Sequence, residues 1–212
     1  MAKTIRIPDL KPRPYQLPFF RAMDSGKKRA VLVWHRRAGK EITCWNYMIR
    51  EACCSRVGTY CYFFPTSRLG RRILWDGANK DGKRFVDYIP PELIQGSPNS
   101  VEMKIELKNG SVIQIMGTEN ILNVGINPIG CVFSEFSLQD PKTWDFVRPI
   151  LRENDGWAVF NFTPRGKNHA FDLYQMAKSN DDWFCEKLGI DETGVLSDKD
   201  MDIERSEGMS EN

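Results

Sequence analysis

Residues Val31–Glu41 read V-L-V-W-H-R-R-A-G-K-E. An apolar, β-branched run gives way to a cationic turn. The turn ends in Gly39-Lys40, where a stretch with helical spacing begins (Ile42, Trp45 and Ile49). A buried strand, a turn and a helix in that order confine the chain to α/β architectures. The same order makes a phosphate cradle, because loop N–H groups and the helix N-terminus both face an anion placed there. The full cradle pattern is G-x-x-x-x-G-K-S/T. Gly39 and Lys40 fit it. Trp34 stands where the first glycine belongs, and Glu41 replaces the hydroxyl residue. Taken alone, the segment is equally compatible with a basic surface turn.

The rest of the chain alternates. Gln16–Met23 reads as a short helix after an extended arm over residues 1–13. Ala30–Trp34 reads as a strand, Lys40–Cys54 as a helix, Thr59–Phe64 as a buried strand and Ser67–Ala78 as a helix carrying Arg68, Arg71 and Arg72. Asn109-Gly110 between the alternating runs Val101–Leu107 and Ser111–Met116 is a strong hairpin signal. Gly130–Ser134 is a strand, Thr143–Leu151 a helix, Trp157–Phe162 a strand, Asn168–Lys178 a helix and Trp183–Leu188 a last strand. Strands alternating with helices predict a mostly parallel sheet with helices on both faces, and the hairpin near residues 101–116 reads as an insertion.

A chain of 212 residues with 41% apolar and 27% charged residues supports one α/β domain with a full core. No apolar run approaches a membrane span, and no signal-peptide core follows the N-terminus. The six cysteines contain no C-x-x-C pair and read as buried, reduced thiols, while the two histidines leave little for a histidine metal site. Net charge is +2, but residues 198–212 hold six acids against Lys199 and Arg205, which leaves +6 on residues 1–197. That excess permits phosphate-rich partners without requiring them.

Two further segments carry chemistry. Cys131–Glu135 is an apolar strand ending in a carboxylate, at the sheet edge where open α/β folds bind ligands. Phe160–Asn168, F-N-F-T-P-R-G-K-N, runs from a strand through a polar, basic loop into a helix. Thr163 at that strand end is placed to sense a γ-phosphate, and Arg165 and Lys167 to read phosphates or DNA.

Together these segments resemble the ATPase domain of a tailed-phage terminase large subunit, a DNA-packaging motor. W-H-R-R-A-G-K-E resembles that family's variant Walker A, and V-F-S-E-F-S-L-Q-D-P its Walker B, including a branch with Ser before the Glu. F-T-P-R-G-K-N-H resembles its coupling motif, R-P-Y-Q its adenine-binding Q motif, and F-F-P-T-S-R-L-G-R-R-I-L-W its segment after the second strand. The resemblance spans roughly residues 12–197. It implies a P-loop NTPase fold of the ASCE type, Mg²⁺-dependent ATP hydrolysis, and translocation of double-stranded viral DNA into a procapsid. It also implies portal and small-subunit partners, and a homo-oligomeric ring during packaging with a monomer as the isolated form. The implied setting is the cytoplasm of an infected bacterium, with no membrane association.

Residue by residue, the resemblance gives Gln16 a hydrogen bond to adenine with Tyr15 stacking nearby. Arg36, Arg37, Ala38, Gly39 and Lys40 would line the phosphates, with Arg37 a cation on the γ-phosphate. Glu135 would polarise the attacking water, and Thr163, Pro164 and Arg165 would couple hydrolysis to movement. The departures are informative. Glu41 offers a carboxylate where the family has a hydroxyl, and Ser134 a hydroxyl where it has Asp. One Mg²⁺-side carboxylate would then have moved from strand to helix, making Glu41 and Ser134 the magnesium candidates; alternatively Glu41 only caps the helix, and Thr43 is not obviously placed to replace it. Val124 stands at the position of the family's trans-acting arginine, so Arg148 or Arg152 is the alternative. Residues 198–212 read as an acidic lead-in to a nuclease domain that the chain lacks, with Ser197 and Asp200 as a helix cap, so DNA cleavage is not expected. Two other classes stay open. One is a helicase- or recombination-type ATPase, and the other a DNA-binding assembly module with weak or no turnover.

Overall fold

The runs R-A-V-L-V-W and T-Y-C-Y-F-F hold β-branched and aromatic residues with almost no polar interruption. In strands covered on both faces, that composition replaces alternation. A computed structural model, describing residues 10–119, 121, 125–195, 203 and 206, places them at the centre of one sheet. Residues 1–9 of the expected arm, the turn residues Asn123 and Val124, and nearly all of the acidic tail with its expected cap lie outside the described residues.

The strands are β1 (Arg29–Trp34), β2 (Thr59–Phe64), β3 (Lys104–Glu106), β4 (Val112–Gly117), β5 (Pro128–Ser134), β6 (Trp157–Asn161) and β7 (Trp183–Leu188). They form a seven-stranded sheet in the order β3-β4-β2-β5-β6-β1-β7. Only the β3–β4 pair is antiparallel. The expected hairpin exists, with Ile105 opposite Ile113, and it extends the main sheet. Its second strand pairs in parallel with β2 along the whole run from Thr59↔Val112 to Phe64↔Gly117, and buries Ile113 and Ile115. The alternating pattern therefore marks a sheet margin, covered on one face more than the other.

Helices α1 (Leu17–Asp24) and α2 (Lys40–Cys54) cover one face, and α4 (Lys142–Glu153) and α5 (His169–Lys178) the other. The third helix is shorter than its sequence suggests. α3 (Ser67–Gly70) widens into a π turn over Arg71–Trp75, closed by Asp76 N–H donating to Arg71 O at 2.8 Å. It does not continue to Ala78, which instead forms an isolated antiparallel bridge with Arg84. A last short helix, α6 (Ile190–Thr193), has no counterpart in the sequence reading. Among the described residues no helix is long and apolar enough to cross a membrane, and all six cysteines are free thiols.

On the α4/α5 face the core is aromatic. Phe160 stacks on Phe133 with centroids 4.8 Å apart, and Trp144 meets it edge-on at 4.9 Å. On the opposite face Gly130 lets Trp157 and Tyr60 close over β5; a Cβ there would lie 2.5 Å from Trp157 Cε2 and 2.7 Å from Tyr60 Cδ1. Gly130→Ala is therefore expected to destabilise the fold by about 1–3 kcal/mol through overpacking, read as a lower urea midpoint at constant m-value.

Candidate nucleotide and phosphoryl-transfer site

Because β1, β5 and β6 are parallel, their carboxyl ends meet at one sheet edge. The register sets Leu32 beside Asn161 and Ser134 beside Asn161. The strand order matters here: β6, which leads into Thr163, lies between the strand of the Gly39-Lys40 turn and the strand of Glu135. The turn, the carboxylate and the threonine loop thus converge without being adjacent in sequence.

The phosphate-loop candidate occupies His35–Gly39. Trp34 is the last residue of β1 and fully buried, with its indole N–H donating to Glu186 Oε2 at 2.8 Å. The missing first glycine is therefore a core position, and the loop begins one residue later. His35 ties the loop to the β7 side, its N–H donating to Leu188 O at 3.0 Å and its ring Nε2 lying 2.7 Å from Thr193 Oγ1. Burial lowers the His35 pKa. Gly39 has φ +80°, in the left-handed region that glycine occupies freely. A Cβ there would also lie 2.9 Å from Gln16 Nε2. Arg37 holds φ +72° without that freedom, a strained conformation of the sort found at functional loops. The side chains of Arg36 and Arg37 are exposed on this loop.

The Tyr15-Gln16 pair straps the loop from outside. Tyr15 Oη donates to Ala38 O at 3.0 Å, and Gln16 Nε2 donates to the same carbonyl at 3.2 Å. Gln16 Oε1 accepts from Arg13 N–H at 2.9 Å, so both ends of its buried carboxamide are engaged within the protein. The ring of Tyr15 meets Trp34 edge-on at 6.0 Å.

Inside the edge lies a chain of polar contacts. Lys40 folds back along its own loop, and Nζ donates to Trp34 O at 2.8 Å, His35 O at 3.3 Å and Thr163 Oγ1 at 3.1 Å. Burial lowers its pKa, and the nearby Glu135 and Glu41 oppose that shift. Glu41 is half-buried as a residue, but its carboxyl points inward. It accepts from Ser134 Oγ at 2.7 Å and from Tyr62 Oη at 2.6 Å. Burial raises its pKa against those two hydrogen bonds. The two magnesium candidates are therefore in direct contact. Thr43 is not available in their place, since its hydroxyl donates back to Gly39 O at 2.9 Å.

Glu135 follows Ser134 in the left-handed region, at φ 51° and ψ 45°. Its Oε2 is buried and has no hydrogen-bond partner among the described residues. An unpartnered buried carboxylate oxygen at a strand end is costly and rare. Thr163 continues from β6, and Pro164 and Arg165 are exposed beyond it. The loop is anchored to the Glu135 segment, with Ser137 Oγ donating to Thr163 O at 3.5 Å and His169 Nε2 lying 2.8 Å from Phe136 O. Asn168 caps α5 by accepting from Ala170 and Phe171 N–H.

The structure thus brings together Lys40, Glu41, Ser134, Glu135 and Thr163, with Tyr15 and Gln16 behind the loop. Arg148 and Arg152 are not brought to this edge. They flank a groove with Arg29 and Trp183, the first residues of β1 and β7, at the opposite end of the strands. Two participants escape sequence reasoning. Tyr62 is hidden in an apolar strand, where its hydroxyl is the only signal. Gln139, whose buried Nε2 bridges Ser134 O at 2.8 Å and Phe63 O at 3.3 Å, gives none.

A magnesium ion fits this donor set. Among the described residues no group of three or more His, Cys, Asp or Glu is placed to hold a metal. A single inward carboxylate suits Mg²⁺, which takes one or two carboxylates and completes its shell with phosphates and water.

No protein-family model matches the chain. No curated protein matches it either. Solved structures do. The large terminase ATPase domain of Thermus phage P74-26 aligns at TM-score 0.74 and 16% identity, covering 95% of this chain and 90% of that one. The large terminase of another thermophilic bacteriophage, in complex with ADP, aligns at TM-score 0.72 and 15% identity, over 94% of this chain and 51% of that one. The same terminase in complex with ATP-gamma-S aligns at TM-score 0.68 and 17% identity, over 94% and 50%. This chain therefore spans about half the length of that second terminase. At such identities the likeness establishes the fold alone: a mostly parallel sheet flanked by helices, similar to that of large-terminase ATPase domains.

Proposed function

We propose that this chain is the ATP-hydrolysing domain of a phage large-terminase motor, driving double-stranded DNA into a procapsid. One observation carries the reading. The buried, unpartnered Oε2 of Glu135 sits at the same sheet edge as the Lys40 ammonium and the Glu41–Ser134 pair. In phosphoryl transfer the protein mainly positions groups and compensates charge, and this edge holds groups suited to each task.

In this reading the N–H groups of Arg36–Lys40 hold the phosphates and Lys40 neutralises them. Arg37 supplies a cation at the γ-phosphate, and the free oxygen of Glu135 accepts a hydrogen bond from the attacking water. Glu41 would hold Mg²⁺, with Ser134 orienting its carboxylate. When bound, the ion would neutralise charge on the terminal phosphate oxygens. Tyr15 and Gln16 set the loop through Ala38 O; a contact from Gln16 to adenine requires one end of its carboxamide to leave its present partner.

The Lys40–Thr163 hydrogen bond suggests how the coupling loop senses nucleotide. Phosphates draw Lys40 Nζ outward, Thr163 Oγ1 loses its donor, and the Thr163–Arg165 loop is freed to respond. Portal protein, a small subunit and a homo-oligomeric ring belong to the same proposal, as does the cytoplasm of the infected host.

Colorimetric phosphate release with ATP and Mg²⁺, with and without linear duplex, tests the reading. Release that rises with duplex is the expected result. No release at high protein concentration despite ATP binding would identify a non-catalytic assembly module. Stimulation by single strands with strand separation would identify a helicase-type ATPase.

A further inference from the structure

At the sheet edge opposite the nucleotide site, the amino ends of β1 and β7 and the start of β6 open onto a groove of about 350 Å³. Strands of six residues separate the two edges by about 17–20 Å. The groove carries four cations, Lys28, Arg29, Arg148 and Arg152, against two carboxylates, Asp155 and Asp182. Asp155 is engaged with Lys28. Among the described residues no carboxylate pairs with Arg29 or Arg152, and Arg148 has only an exposed contact to Asp145 at 3.8 Å.

The groove is also built. Arg29 Nη1 donates to Lys28 O and Gly156 O, both at 2.8 Å, which fixes the guanidinium at the floor. Its carbon lies 5.6 Å from the Trp144 ring centroid, stacking the guanidinium on an aromatic face. Burial lowers the Arg29 pKa; the charge of Arg152 acts in the same direction, and Cys131 and Asp155 act against it. Arg148 and Arg152, one helical turn apart on α4, rise as exposed walls. Arginine forks match phosphate oxygens better than lysine does.

We infer that this groove holds the phosphate backbone of duplex DNA, on the face of the domain turned away from the nucleotide. The choice of duplex as ligand rests on the motor reading above.

Anisotropy of a labelled duplex, titrated with the full chain at several salt concentrations, tests this. In Arg148→Ala/Arg152→Ala the slope of log K against log salt is expected to fall by about 2 in magnitude. Arg148→Lys/Arg152→Lys should restore most of it, and equilibrium binding of a fluorescent ATP analogue should stay at the wild-type level in both variants. An unchanged slope overturns the inference. So does competition by polyglutamate that strips the duplex while the slope stays the same, which would assign the groove to an acidic protein. Wild-type protein that hydrolyses ATP but binds no duplex defeats the groove and leaves the ATPase standing. A slope change in a chain that hydrolyses nothing leaves the groove standing and defeats the ATPase.

Discussion

Glu135→Gln is expected to lower ATP hydrolysis by about two to four orders of magnitude, the range for loss of a positioned proton acceptor, while ATP binding stays within a few-fold. The substitution is nearly isosteric, and Glu135 makes no side-chain hydrogen bond through Oε2 that the amide would break. Its backbone is held independently by Leu138 N–H donating to Glu135 O at 2.8 Å. The amide still reaches the same place, but it is a far weaker acceptor and carries no charge opposite Lys40. The amide leaves one buried polar atom as before and gives up the attraction to Lys40, so stability in urea should change little. A loss of rate with little change in stability separates catalysis from folding. The measurement pairs single-turnover phosphate release with equilibrium binding of a fluorescent ATP analogue. Normal turnover in this variant would show that another group orients the water.

How much of this is legible before the fold is uneven, for physical reasons. The limits of β2, α2 and β7 follow from composition and punctuation: apolar runs stop at Pro65 and Gly58, and α2 starts at a glycine that must take positive φ. The end of α3 escapes the sequence because Ala78 leaves the helical path to bridge Arg84, a pairing that no periodicity records. The hairpin is plain in the alternation, but its place in the main sheet depends on pairing with β2, a long-range fact. The site divides in the same way. Gly39, Lys40 and Glu135 stand out because they punctuate strand ends. The roles of Tyr62 and Gln139 depend on β2 lying beside β5, which local sequence does not encode. The engagement of Gln16 with Ala38 O likewise joins residues far apart in sequence.

The Glu41–Ser134 contact supports the sharpest remaining expectation. If a carboxylate has moved from strand to helix, its position should matter less than the pair itself. Glu41→Ser alone removes the inward carboxylate and leaves the Tyr62 hydroxyl, now 2.6 Å from Glu41 Oε2, without its acceptor. Activity at fixed Mg²⁺ should drop on the order of 100-fold, with the Mg²⁺ requirement shifted upward, as for disrupted metal ligation. Ser134→Glu alone sets two carboxylates against each other inside the edge. One must bind a proton or move away, so this variant should also lose activity. Glu41→Ser combined with Ser134→Glu restores one carboxylate and one hydroxyl. It also keeps the total side-chain reach across the gap, which Ser134→Asp would shorten by one carbon. The double variant should recover at least about tenfold over the worse single, a coupling of more than about 1.4 kcal/mol and within the range for residues in contact. Mg²⁺ titrations of phosphate release on all four proteins make the cycle. Simple addition of the two losses, or a Mg²⁺ requirement unmoved in Glu41→Ser, would mean that Glu41 only braces Tyr62 and Ser134, and that the ion is held from elsewhere.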